Sequence, residues 1–210
     1  MGFLSRLFGK SPEKAATRQL NQPSQLMPGD IIKLDDSFAL PPQLRGQQLE
    51  VKQVNTYEYQ NQNEYEWVLQ GSDDELIFMG LDTDDTTSLV FSKKVNRAIV
   101  SELFCLDQFS QLFDEPGNAL LAVKSPVTEL AQWIGEQYRQ CEFARVGYFH
   151  QTDYRNREVG QNRGDSFERY SAISDDEKFG LEAEVYQDGE TDVLVSLYRP
   201  LTDIREYWPH

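Results

Sequence analysis

The sequence predicts an α+β protein of two β-rich subdomains, an N-terminal small barrel-like sheet and a C-terminal helix packed on an antiparallel meander. Three observations predict it. Short alternating stretches crowd residues 31–91, a single apolar stripe of helical period runs from Val127 to Cys141, and alternating segments separated by acidic turns fill 143–198. Closely spaced short strands suggest a curled sheet, and a lone amphipathic helix before a meander suggests a two-layer partner to it.

The elements follow in order. Phe3, Leu4, Leu7 and Phe8 fall at i, i+1, i+4 and i+5, with Arg6 and Lys10 elsewhere on the wheel, so residues 1–10 read as a short amphipathic helix. Residues 11–25 are polar and open on Ser11-Pro12, the composition of a linker. The head and linker make up 1–25. Pro28-Gly29-Asp30 then turns into a strand at Ile31 to Leu34. From Leu49 the pattern is β: Val51, Tyr57 and Tyr59 share a parity, Asn61-Gln62-Asn63 turns the chain, and Tyr65, Trp67 and Leu69 continue that face. Two more strands run from Glu75 to Leu81 and from Ser88 to Phe91. Asp107 stands as cap to a short helix carrying Phe109, Leu112 and Phe113. Pro116-Gly117 closes the first subdomain, 26–116, and opens the second, 117–210. There Ala119 to Val123 is a strand and Ser125-Pro126 begins a helix. Val127, Leu130, Ala131, Ile134, Tyr138 and Cys141 form its stripe, with Trp133 on the shoulder. Strands at 143–154, 167–173, 179–186 and 192–198 complete a meander. In the third, Phe179, Leu181, Ala183 and Val185 alternate with Gly180, Glu182, Glu184 and Tyr186, the pattern of one buried face and one solvated face.

The composition excludes several function classes. The chain has 210 residues, 39% of them hydrophobic, and a net charge of −15. That is enough apolar material for a core, and an acidic surface repels phosphate backbones, so nucleic acid is not an expected partner. The charge is uneven: Arg6, Lys10, Lys14 and Arg18 against Glu13 give the first 20 residues +3 and leave −18 for the rest. Cys105 and Cys141 alone cannot form a disulfide framework and read as reduced core thiols, which points to the cytoplasm. Met1-Gly2 opens like a myristoylation signal, but Arg6 stands where Ser or Thr is needed. No cofactor is expected, since neither GxGxxG nor GxxxxGK[ST] occurs. No metal is expected either. Two cysteines and two histidines are too few for structural zinc. The calcium-like run Asp82-x-Asp84-Asp85 has Thr87 and Lys93 where glycine and glutamate belong. Arg163-Gly164-Asp165 reads as a hairpin turn. The one nucleophilic candidate is Cys141 with His150 as base and Asp153 as orienter, set against Cys141 as part of the helix stripe. Tyr57, Tyr59, Tyr65 and Trp67, with Glu58, Glu64 and Glu66 between them, suit a core or a protein interface, and Trp133 a boundary or partner contact.

Phe3 to Lys10, Pro28-Gly29-Asp30, Glu64-Tyr65-Glu66-Trp67 and Tyr198-Arg199-Pro200 together resemble uncharacterised bacterial proteins of the YjfK-like and neighbouring unknown-function families, encoded beside PspA/Vipp-type membrane-stress genes. The resemblance implies an accessory role near the inner face of the membrane and carries over no catalytic residue. The expected function is therefore a non-enzymatic accessory or adaptor. Phe3, Leu4, Arg6, Leu7, Phe8 and Lys10 would dock it on a protein partner, with weak, salt-sensitive contact to an anionic membrane surface. The alternatives are an enzyme with a Cys/His or carboxylate site and, last, an acidic decoy of nucleic acid.

Overall fold

A computed structural model describes residues 18–83, 86–125, 128–160 and 162–210. The head, Phe3 to Lys10, lies outside the described residues, as do Asp84, Asp85, Pro126 and Val127. In chain order the elements are β1 (Ile31–Leu34), β2 (Gln48–Glu58), β3 (Asn63–Gln70), β4 (Leu76–Asp82), β5 (Ser88–Val95), α1 (Arg97–Leu103), α2 (Leu106–Phe109), β6 (Leu120–Ala122), β7 (Gln137–His150), β8 (Asp165–Ser174), β9 (Phe179–Tyr186), β10 (Thr191–Pro200) and β11 (Ile204–Trp208). All pairings are antiparallel, in the order β11-β1-β2-β3-β4-β5-β10-β9-β8-β7-β6. One further pairing, Thr56 to Glu58 of β2 with Tyr148 to His150 of β7, closes the middle eight strands into a barrel. Away from that seam the two strands part, and each takes another neighbour: β1 on β2, β6 on β7.

Local sequence sets the turns. Tyr59 N–H donates to the Gln62 carbonyl across the β2–β3 turn. Gly189, at φ 91°, takes the left-handed position between β9 and β10 that a side chain would resist. Asn96 caps α1, its side-chain oxygen accepting from Ile99 N–H at 3.1 Å. In Pro28-Gly29-Asp30 the buried Asp30 carboxylate accepts from Met27 N–H at 2.7 Å, from His210 N–H at 3.0 Å and from the Arg18 guanidinium, tying the first described residues to the last. Burial alone would raise the Asp30 carboxyl, and these donors hold it below its ordinary value.

The α+β architecture expected from the sequence is not what forms. The protein is a mainly β structure, and strands from both halves of the chain complete one barrel rather than two sheets. Among the described residues of 125–141 there is no α-helix. Thr128–Leu130 is a single 3-10 turn and Gln137 already belongs to β7. Leu130, Ile134 and Tyr138 are buried, whereas Ala131 and Cys141 of the same expected stripe are exposed. The i, i+3, i+4 spacing is a helical one, yet only Tyr138 and Cys141 of the stripe enter a strand, while Leu130 ends the 3-10 turn and Ile134 lies between elements. Pairing of β7 with both β6 and β8 takes the chain from Gln137 onward into the sheet. Gly135 lies so close to the end of β8 that a Cβ there would stand 2.8 Å from that of Ser174. Asp107 falls in the first turn of α2 rather than at its cap.

The apolar strand faces join one core with the segments that cover them. Val51, Trp67, Met79, Phe91, Leu181 and Val195 pack with Leu26, Leu40 and Leu44 from before β2, and with Leu103, Phe104, Leu112 and Trp133 from between β5 and β7. Buried polar groups inside this layer are met: Trp67 Nε1 donates to Leu26 O at 3.1 Å, and the Gln140 amide bridges Leu112 O and Ala119 N at 2.9 and 3.0 Å. Phe91 stands between Met79 and Leu197, where one meander meets the other. Phe91→Ala is expected to cost about 3–5 kcal/mol in urea unfolding, against less than about 0.5 kcal/mol for exposed Lys52→Ala. A Phe91→Ala loss below about 1 kcal/mol would contradict this placement of the core.

Candidate functional site

Strand alternation sends the polar residues to the opposite face, and closure of the barrel makes that face its interior. A β-bulge between Val51 and Gln53 changes parity within β2, so Tyr57 sits opposite Glu64 while Thr56 sits opposite Tyr65. Tyr57 and Tyr59 therefore do not share a face with Tyr65 and Trp67. Contacts across the barrel establish which side is inside. Tyr57 meets Phe167 edge-on at 5.6 Å although β7 lies between their strands. Glu64 of β3 accepts from Arg169 of β8 at 2.8 Å, although β2 and β7 separate them. Only side chains converging within a lumen can make such contacts.

The lumen holds two adjoining chambers of about 720 and 520 Å³, with Tyr57, Glu66 and Phe78 lining both. In the smaller, four charges alternate in a square. Arg145 Nη1 donates to Glu64 at 3.0 Å and to Glu142 at 3.2 Å, while Arg169 donates to Glu142 through Nε at 2.6 Å and to Glu64 through Nη1 at 2.8 Å. Bulges in β7 between Gln140 and Arg145, with Ala144 at φ 49°, bring Glu142 and Arg145 together on the lumen side. Both guanidinium groups lie over the Tyr59 ring, at 3.6 and 4.9 Å. The Glu64 carboxyl is held low by these two arginines against the effect of its burial.

Three further carboxylates lack such partners. Glu66 accepts from the Asn55 amide at 2.8 Å and from Tyr57 Oη at 3.4 Å, and burial pushes it up to about 7. Glu184 accepts from Tyr186 Oη at 2.9 Å. Burial, then repulsion from Glu182 and Glu66, pushes it up to about 8. Glu182 is raised for the same first reason, and Arg169 stands 4.0 Å from it. Among the described residues, Tyr59 Oη is the buried side-chain polar atom with no hydrogen-bond partner.

The residues singled out from sequence are distributed as follows. Trp67 and Trp133 are core, 1% and 0% exposed, and offer no surface to a partner. Tyr65 is half-buried at the edge of that core. Tyr57 and Tyr59 belong to the lumen. Both cysteines are exposed instead of packed in the core, Cys141 on the β7 bulge and Cys105 at the start of α2. Cys141 and His150 lie nine residues apart on one strand, about 30 Å at roughly 3.3 Å per residue, so they form no dyad. Although the residue is exposed overall, partial desolvation of its sulfur, then repulsion from Glu142 and Glu182, pushes the Cys141 thiol up, away from a nucleophilic thiolate. His150 Nε2 instead pairs with Glu58 at 2.9 Å beside the barrel seam, and Asp153 holds Arg155. Among the described residues no group of His, Cys, Asp and Glu is arranged to hold a metal ion. No described helix is long and apolar enough to cross a membrane.

Arg145, Arg169 and Glu142 carry no signal that singles them out in the sequence, and Glu182 and Glu184, expected on a solvated face, instead line the lumen. The usable signal was the doublet Glu-x-Glu at 64/66 and at 182/184, in strands whose other face is apolar. Set against family models, curated proteins and solved structures, the chain finds no match in any of the three.

A carboxyl whose native pKa lies above its unfolded value of 4.5 keeps its proton longer when folded. Glu66 and Glu184 therefore contribute a stability that falls as pH rises from about 4.5 to about 8 and is level above that. The urea midpoint is expected to drop between about pH 5 and about pH 8.5. The double variant Glu66→Gln, Glu184→Gln should flatten that slope and exceed the wild type in stability at the upper end. A wild-type midpoint constant or rising across this window would refute the burial of the two carboxyls.

Proposed function

We propose that this protein is a non-enzymatic binding module that holds a small polar ligand in its barrel lumen, with the basic apolar head serving to dock it. The observation that carries the reading is the interior itself. Eight-stranded barrels either fill their interior with side chains or hold one small ligand there. This one spends seven charged side chains, Glu64, Glu66, Glu142, Arg145, Arg169, Glu182 and Glu184, on lining chambers of about 520 and 720 Å³. Ionised groups in a closed interior are costly to stability, so a lumen built from them is better suited to recognition than to support. Docking by Phe3, Leu4, Arg6, Leu7, Phe8 and Lys10 on a protein partner at the inner membrane surface rests on the amphipathic, basic composition of that segment.

A second reading draws on one observation. Carboxyls near 7 and 8 in a cavity, at Glu66 and Glu184, are suited to general acid–base work, and the protein would then turn its ligand over. Recovery of the bound compound unchanged after prolonged incubation separates binding from turnover.

Gly80 lines the smaller chamber, and a Cβ there would meet only Val90 Cβ, at 3.9 Å. A Cβ at this position has room, so Gly80→Phe should project its ring into the smaller chamber. In amide chemical-shift titrations with a library of small acids, amines and sugars, at least one class is expected to shift lumen residues in the wild type and to leave Gly80→Phe unchanged. Absence of any saturable shift at lumen residues would sink the proposal.

A further inference from the structure

We infer that the ligand is a small neutral saccharide, held in the larger chamber and at its junction with the smaller by side-chain amides and aromatic rings. The inference rests on the lumen being a binding site and adds the chemistry of its occupant.

One wall of the larger chamber carries a fixed row of polar groups. Gln53, Asn55 and Tyr57 follow one another along β2, and Asn55 stands directly opposite Glu66 of β3. Gln53 Nε2 donates to Asn55 Oδ1, Asn55 Nδ2 donates to Glu66 at 2.8 Å, and Tyr57 Oη donates to the same carboxyl at 3.4 Å. Asn55 is only 3% exposed, so the row is set before any ligand arrives. A side-chain amide has two N–H hydrogens and a carbonyl with two lone pairs, and the row uses only part of that set. Among the described residues the Gln53 carbonyl accepts no bond, and each of the two amides keeps a second N–H. Hydroxyl groups match such a remainder, because each one both donates and accepts. At the mouth of the chamber Gln151, Asn162 and Gln187 are exposed, and their side-chain amides have no hydrogen-bond partner among the described residues.

The rings of the chamber supply the apolar part. Tyr57 meets Phe149 at 5.1 Å and 54°, Tyr57 meets Phe167 edge-on, and Phe167 meets Tyr186 at 44°. These pairs are tilted or perpendicular, so they form no slot for a flat heterocycle. Separate faces suit the C–H surfaces of a sugar ring, whose rim of hydroxyls then reaches the amides. A volume of about 720 Å³ is within the range of small-molecule sites, about 300–1,000 Å³.

Other chemistries fit less well. Of the cations lining the two chambers, Arg145 and Arg169 are spent on Glu64 and Glu142, and Lys94 is committed to Asp192 at 2.5 Å, which leaves an anion without a partner. Glu66 and Glu184 hold their protons up to about 7 and about 8, so the interior offers an organic cation little fixed charge at neutral pH. Asp165, Asp188 and Glu190 at the mouth are exposed and screened by water and salt. An apolar chain would bury the amide row without pairing it.

The test is amide chemical-shift titration of the full chain at about pH 7 with glucose, galactose and maltose, set against adenosine, 1,4-diaminobutane and acetate. At least one sugar is expected to give saturable shifts at residues of the larger chamber. Gln53→Leu, at the end of the row, should weaken its binding by at least about fivefold, the loss of one or two hydrogen bonds. Gln151→Ala with Gln187→Ala, at exposed positions whose side chains hold nothing else in place, should do the same. The register that sets Trp67 opposite Met79 continues to Gly80 beside Glu66, so the ring of Gly80→Phe stands where the chambers meet and should abolish the shifts. Gln108→Ala, on α2, should leave them unchanged. The undisturbed remainder of each spectrum checks the fold. Sugar affinity that any of the three lumen variants leaves unchanged places the sugar elsewhere and overturns the inference. Saturable lumen shifts from adenosine, the diamine or acetate, with none from the sugars, overturn the saccharide while the binding lumen stands. Silence from every probe overturns the saccharide too, and the wider library then decides whether the lumen binds at all.

Discussion

Arg169 imposes the constraint on which the barrel depends. A guanidinium cannot shed its charge, so once β8 turns it inward it has to be met by carboxylates from other strands. Glu64 from β3 and Glu142 from β7 meet it at 2.8 and 2.6 Å, and both then also engage Arg145. The meander β2–β5 is thereby linked to β7–β10 across the interior as well as through the seam at Thr56 to Glu58. Nearby carboxylates push the Arg169 guanidinium's affinity for its proton up despite its burial.

A charged interior forces the apolar half of every strand outward, and the remainder of the chain follows from that. The outward faces have to be covered, so residues 18–47, 97–125, 128–136 and 201–210 are spent on a surrounding layer of short strands, turns and two brief helices. Asp30 fastens that layer where the first described residues meet the last, and Gln140 fastens it where β7 leaves the barrel. The hydrophobic core of this protein is a shell around the barrel, and the space at its centre is lined largely by polar groups.

Strand positions were largely legible, because alternation and turn chemistry act locally. Phe179 to Tyr186 emerges with the expected bounds, and β1 to β5 lie close to theirs. Two features were not legible. The stripe from Val127 to Cys141 has helical spacing in the sequence, and pairing of β7 with β6 and β8 draws its end, from Gln137 onward, into the sheet instead. The face bearing Glu182 and Glu184 reads as solvated in any open sheet. It becomes interior only through the contact of β2 with β7, about 90 residues apart, which no local pattern announces. The same closure moved Tyr57 and Tyr59 from an expected interface into the lumen, and a single bulge in β2 separated them from Trp67.

The measurement that bears most directly on a barrel closed around charge is a double-mutant cycle between Glu64→Gln and Arg169→Met, read by urea unfolding. The two residues come from opposite halves of the chain and touch only if the eight strands enclose a common interior. A coupling energy of about 1 kcal/mol or more is expected for a part-buried pair of charges at 2.8 Å. Additive losses, with coupling below about 0.5 kcal/mol, would mean that the two side chains do not meet and that the lumen described above is open.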